Sequence, residues 1–306
     1  MKNRVSVIDL GTNTFHLLIA DGVESIHEER RPVRIGMGGI NRNTITTEAL
    51  ERAITCLQDY RKKSEDFGVE RIVAIGTSAL RNADNVEFVK NVIHERTGIE
   101  ITVISGDQEA ELIYDGIRSG MQMAAKPSLI VDIGGGSVEF IIADQHQISW
   151  KISLETGGQR LMELYQKNDP IHFDEIKAVE NHLNQKLSDV FKAVDQFRPG
   201  AIIGSSGSFD TLSEIWCLKN GLPYQAGPET LLTAEGFQIV AQELIAMNRS
   251  QRMQVPGMIE LRVDMIVVAC ILIQFLIDKT RINTLRVSGY SLKEGVQWRI
   301  RNNIPF

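Results

Sequence analysis

The feature that most constrains this chain is an internal repeat. VIDLGTNTFHLLIAD, Val7 to Asp21, matches IVDIGGGSVEFIIAD, Ile130 to Asp144, at a constant offset of 123 residues and without a gap. Asp9 pairs with Asp132, Gly11 with Gly134, Thr14 with Ser137, and both copies close on Ile-Ala-Asp. Self-similarity of this kind marks two copies of one structural unit. Each copy reads as an apolar strand ending in Asp, a short Gly/Thr/Ser turn and a second apolar strand, which is a β-hairpin. At 306 residues the chain is long enough for two domains of roughly 100 to 200 residues each.

The tips carry the chemistry. Glycine allows positive φ and close approach, so successive amides in GTNT and GGGS can point at one anion, and phosphate is the natural guest. A flexible-linker reading of GGGS fails because the segment lies between two apolar strands. GTNT by itself is equally an ordinary hairpin turn; the repeat is what ties the two tips together. Thr12, Asn13, Thr14, Gly134, Gly135, Gly136 and Ser137 form the candidate phosphate cradle.

Asp9 and Asp132 end their strands at these tips. A bare carboxylate repels phosphate, so the pair suits a divalent cation, Mg²⁺ or another such as Mn²⁺, held through water; the alternative is an Asp capping its own turn. Glu139 lies two residues beyond Ser137, on the same strand face, where it can share metal or water duty. Its counterpart in the first copy is His16, read as structural, so the hairpins are not chemically equivalent.

Further strand-loop-helix units follow in RIVAIGTSALRNADN, AIIGSSGSFDTLSEI and LRVSGYSLKEGV. Helical 3-4 spacing marks EALERAITCLQDYRKK and FDEIKAVENHLNQKLSDVF, so the class is α/β. Neither G-x-x-x-x-G-K-[ST] nor a G-x-G-x-x-G after a strand occurs, which argues against a P-loop or dinucleotide fold. The net charge of -6 argues against nucleic-acid and anionic-membrane partners. Cys56, Cys217 and Cys270 lack disulfide or zinc spacing, and MKNRVSVIDLG lacks a signal-peptide pattern, so a cytoplasmic location is expected. The apolar run Met265 to Ile277 is too short to span a bilayer and reads as a buried helix.

DLGTNTFHLLIA, GTSALRNADN, ISGDQEAELIYDG, VDIGGGSVEF, GSSGSFDTL, ELRVD and GYSLKEGV, in that order along the whole chain, resemble the motifs of the exopolyphosphatase and guanosine pentaphosphate phosphohydrolase (Ppx/GppA) family. The resemblance implies two ribonuclease H-like (actin-like ATPase) domains with a central cleft, expected at 1–117 plus 293–306 and at 118–292. The cleft is expected to close on substrate, and a homodimer is implied. Glu109, in a helix start capped by Ser105 and Gln108, matches the family's proposed base for the attacking water. Arg81, whose guanidinium can grip phosphate bidentately, is the candidate phosphoryl clamp. Ser206 and Gly207 match a superfamily position that meets a nucleotide or further phosphates. Arg160 resembles a basic position of the family and equally reads as a solvated helix charge. The implied activity is metal-assisted removal of the terminal phosphate of inorganic polyphosphate or guanosine pentaphosphate, with Glu109, Glu139 and Arg81 as catalytic candidates. A phosphotransferase and a non-catalytic nucleotide-binding sensor on the same fold are the alternatives.

Overall fold

A computed structural model describes residues 4–305. They divide into two compact units, 4–116 with 292–305, and 117–291. In the first unit, β1 (Arg4–Leu10), β2 (Phe15–Asp21) and β3 (Glu24–Arg31) run as an antiparallel meander. There follow α1 (Thr47–Asp66), β4 (Arg71–Gly76), the short α2 (Ser78–Arg81), α3 (Val86–Thr97), β5 (Ile101–Val103) and α4 (Gly106–Gly120). β4 pairs parallel with β1, and β5 parallel with β4, giving the sheet order β3-β2-β1-β4-β5.

Local chemistry accounts for these boundaries. Thr46 caps α1 by accepting from the Ala49 amide, and the 3-4 spacing of Ala49, Leu50, Ala53, Ile54 and Leu57 turns one face of the helix into the core. Those side chains pack with Ile8, Leu10, Phe15, Leu17 and Ile19 from the sheet.

The second unit repeats the plan. β6 (Ser128–Ile133), β7 (Val138–Ala143) and β8 (Ile148–Leu154) form the meander. After them come α5 (Gly158–Tyr165), α6 (Phe173–Lys186), α7 (Ser188–Phe197), β9 (Ile202–Ser205) and α8 (Gly207–Lys219). The unit ends with β10 (Glu229–Thr230), α9 (Ala234–Ala246), α10 (Arg249–Arg252), α11 (Ile266–Thr280) and β11 (Leu285–Ser288). The sheet order is β10-β11-β9-β6-β7-β8. Leaving aside β10 at its edge, this is the order of the first sheet, so the duplication covers five strands and not only the hairpin that the sequence displays. α12 (Leu292–Arg301) then belongs to the first unit again.

α11 is apolar on nearly every side and buried from Ile266 to Ile273, as its composition predicts. Two elements differ from the sequence reading. FDEIKAVENHLNQKLSDVF is two helices, broken at Leu187, where Ser188 and Asp189 open a new first turn. The strands β3 and β8 lie outside the recognised hairpins; β3, with the sequence ESIHEERR, is a charged edge strand whose polarity conceals it.

Candidate active site

The first unit places one group of candidates around the β1–β2 tip. Asp9 stands opposite His16 in the ladder and Leu10 opposite Phe15, leaving Gly11 to Thr14 as the turn. Thr12, Asn13 and Thr14 are all buried. A Cβ on Gly11 would lie 2.9 Å from the Thr14 carbonyl oxygen, so the turn closes only around glycine. In the second unit a Cβ on Gly134 would lie 3.0 Å from the Ser137 carbonyl oxygen. The repeat thus preserves the same steric requirement at both tips.

β4 leads into α2, which ends on Arg81, and β5 leads into α4, which begins three residues before Glu109. Ser105 and Gln108 exchange the reciprocal bonds of a capping box: the Gln108 amide donates to Ser105 Oγ at 3.2 Å and the Ser105 amide to Gln108 Oε1 at 2.9 Å. Glu109 is thereby fixed in the first helical turn, where the helix dipole favours a carboxylate. Arg81 donates to Glu109 Oε2 at 2.7 Å and to the Ile104 carbonyl at 3.3 Å. Both side chains are largely buried, at 16% and 10% exposure. The candidate base and the candidate clamp, 28 residues apart in sequence, are therefore bonded partners.

In the second unit the GGGS tip is braced by the N-terminus of α5. The amides of Gly157, Gly158 and Gln159 donate to the carbonyls of Gly136, Gly134 and Gly135 at 3.1, 2.9 and 2.8 Å. A trans peptide points its C=O and N–H to opposite sides. With the three carbonyls engaged by α5, the amides of Gly135, Gly136 and Ser137 point away from that helix, toward any anion at the tip. Gly157 permits the close approach, since a Cβ there would lie 2.5 Å from the Gly135 carbonyl carbon. Arg160 is no solvated helix charge. It is 8% exposed, donates from Nε to the Gly136 carbonyl at 3.0 Å and pairs with Glu155 at 3.1 Å, so it helps to hold the loop.

Asp132 and Glu139 face each other directly across the β6–β7 ladder. Asp132 Oδ2 accepts from Ser205 Oγ at 2.5 Å and from Ser291 Oγ at 2.6 Å, while Glu139 Oε1 accepts from Ser153 Oγ at 2.7 Å. Two carboxylates directly opposed are mutually destabilising unless a cation lies nearby. Among the described residues no three His, Cys, Asp or Glu side chains gather as a metal cluster. The all-oxygen donor set fits Mg²⁺, which keeps much of its water and binds one or two carboxylates together with substrate phosphates.

At the end of β9, Ser206 adopts φ 78° and ψ 165°, a conformation rare outside glycine, and donates from Oγ to the Ile133 carbonyl at 3.0 Å. The Arg262 guanidinium lies over Gly207, where a Cβ would displace it. Sequence reasoning passed over Arg262 as a site residue, along with Ser153, Ser205 and Ser291. Arg262, Ser205 and Ser291 lie within ELRVD, GSSGSFDTL and GYSLKEGV, so each carried a signal through resemblance, whereas Ser153 carried none.

Two sheets of the same strand order, each with a glycine-containing hairpin tip and helices after β4, β5 and β9, define two ribonuclease H-like domains of the actin-like ATPase kind. The model of the Ppx/GppA phosphatase family matches residues 18–303, and the chain belongs to that family. It is 39% identical to an exopolyphosphatase from Cytophaga hutchinsonii of known crystal structure, with a TM-score of 0.96 and 99% of each chain covered. The Aquifex aeolicus Ppx/GppA family member superposes with a TM-score of 0.79 at 26% identity, over 98% of both chains. Exopolyphosphatase 2 of Mycobacterium tuberculosis is 29% identical over 96% of this chain and 97% of its own length. The guanosine-5'-triphosphate,3'-diphosphate pyrophosphatase of Photobacterium profundum is 25% identical over 98% of this chain, which spans 59% of that protein's length. No described helix is long and apolar enough to cross a membrane.

Proposed function

We propose that this protein is a phosphoanhydride hydrolase that removes the terminal phosphate of inorganic polyphosphate or of guanosine pentaphosphate by attack of water. The observation that carries the reading is the buried Arg81–Glu109 pair on a capped helix start. Hydrolysis of a phosphoanhydride needs an aligned water and charge neutralisation on the transferred group. Glu109 Oε orients the water and takes its proton, while Arg81 neutralises the phosphoryl oxygens. The Gly135, Gly136 and Ser137 amides hold phosphate oxygens by backbone bonds. Asp132 with Glu139 would hold Mg²⁺, which would supply charge neutralisation on the phosphates when bound, and Asp9 is the corresponding candidate ligand of the first unit.

The two exopolyphosphatases named above match over 99% and 97% of their own lengths, which supports polyphosphate as the first substrate to try. All three cysteines are free and buried, in keeping with a reducing, cytoplasmic setting. A homodimer is part of the same proposal. Phosphate release with Mg²⁺ should be measured across polyphosphates of graded length and guanosine pentaphosphate. Release that required an alcohol or carboxylate acceptor would overturn the hydrolase in favour of a phosphotransferase.

A further inference from the structure

The segment after β3 turns back against the first hairpin tip. The Arg34 amide donates to the Asn13 carbonyl at 2.8 Å and the Gly36 amide to the Thr12 carbonyl at 3.0 Å, so the loop runs alongside the tip. Contact is close: a Cβ on Gly36 would lie 2.5 Å from Thr12 Cγ2. Arg34 itself sits at φ 52°, in the left-handed region that disfavours side chains. The strained backbone is held from behind by Arg52, which donates from Nε to the Val33 carbonyl at 2.8 Å and from a terminal nitrogen to the Arg34 carbonyl at 2.9 Å. Glycine or asparagine would adopt this turn with less strain, so backbone geometry gives no reason for arginine here.

The side chain supplies one. Nearby arginines are engaged: Arg31 with Glu29 and Asp59, and Arg81 with Glu109. Arg34 is half-buried, and among the described residues none hydrogen-bonds or ion-pairs with its guanidinium. At the adjoining tip Thr14 is 5% exposed, and its buried hydroxyl likewise has no hydrogen-bond partner among the described residues. A partly desolvated cation on a loop whose backbone is bonded to the tip, and a buried, unsatisfied hydroxyl within that tip, are both costly unless a ligand completes them.

We propose that Arg34 is an anion-binding residue of the first tip, presenting its guanidinium to a phosphoryl oxygen of a substrate held at Thr12 to Thr14. This rests on the reading of that tip as a phosphate site. The test is calorimetric titration of the full chain and of Arg34→Gln, Arg34→Lys and Arg34→Asn with tripolyphosphate, alongside melting temperatures and wild-type hydrolysis. Arg34→Gln should bind about tenfold more weakly or worse, the loss expected of a charge-assisted bond. Arg34→Lys should recover part of the affinity, and the dependence of affinity on salt should be shallower in Arg34→Gln. Arg34→Asn should lose affinity without a lower melting temperature, because asparagine tolerates positive φ. Equal affinity of wild type and Arg34→Gln would overturn the proposal, as would no measurable binding by wild type. A fall in melting temperature parallel to the loss of affinity in Arg34→Asn would also overturn it, leaving a structural role. If wild type binds tripolyphosphate through Arg34 yet hydrolyses no phosphoanhydride, the anion site stands and the hydrolase reading falls.

Discussion

Arg81 and Glu109 set each other's geometry through a 2.7 Å bond, and the capping box beneath Glu109 limits how far the carboxylate can move. Glu109→Gln keeps the shape and the hydrogen bond but removes the proposed base. It should lower kcat by about 10²–10⁴ with the melting temperature nearly unchanged. Turnover close to wild type in a phosphate-release assay would shift the role to Glu139. The serines that bond Asp132 Oδ2 act differently, as supports that aim a candidate metal ligand. Ser205→Ala and Ser291→Ala should raise the Mg²⁺ concentration for half-maximal activity by about 10–100-fold, while kcat at saturating Mg²⁺ changes little. A titration curve that coincides with wild type would mean that these serines do not aim a metal ligand.

Among the elements, β3 shows how a polar strand is kept in a sheet. Glu29 on β3 accepts from Arg31 at 2.6 Å and pairs with Lys63 of α1, and Arg31 reaches Asp59 of α1 at 2.5 Å. Burial pushes the Glu29 carboxyl up, but its bonds to Lys63 and Arg31 outweigh that and hold it at about 2. With the folded value below the ordinary one of 4.5, this carboxylate stabilises the unit fully above pH 4.5. The contribution is lost as pH falls from 4.5 toward 2. Glu29→Gln should therefore flatten the acid dependence of the urea midpoint in that window and lower stability at neutral pH. An acid profile that keeps its wild-type slope would refute the assignment. The last helix depends on glycine in another way: a methyl at Gly295 of α12 would run into the Leu112 carbonyl oxygen of α4. Backbone cannot yield as a side-chain end can, so Gly295→Ala should cost about 1–3 kcal/mol or more in denaturant unfolding. A variant as stable as wild type would mean that α12 packs elsewhere.

For the molecule as a whole, each unit has a hydrophobic cluster of its own, one built on β1, β2 and α1, the other on β6, β7 and α11. Two separate cores in 306 residues argue against the single cooperative unfolding step that a one-core domain shows. Differential scanning calorimetry should give a van't Hoff enthalpy below the calorimetric one, from two overlapping transitions. Equal enthalpies would mean that the units unfold as one.

Much of this architecture is legible in the sequence because its causes are local. The apolar strand, the turn that only glycine closes and the apolar strand after it recur at an offset of 123 residues, and the steric demand at Gly11 and Gly134 is the same. The Ser105 and Gln108 cap and the buried α11 likewise follow from neighbours within a turn or two of helix. Tertiary structure alone decided what each carboxylate touches. Ser205 and Ser291 meet Asp132 from 73 and 159 residues away, and Arg34 reaches the tip from a separate loop. Such partners are chosen by strand order and close packing, and a lone serine or arginine carries no periodicity to announce its address. The edge strand β3 was hidden for a related reason: its pairing partner is β2 and its side-chain partners lie on α1, so its residues did not need the apolar alternation by which a strand is recognised.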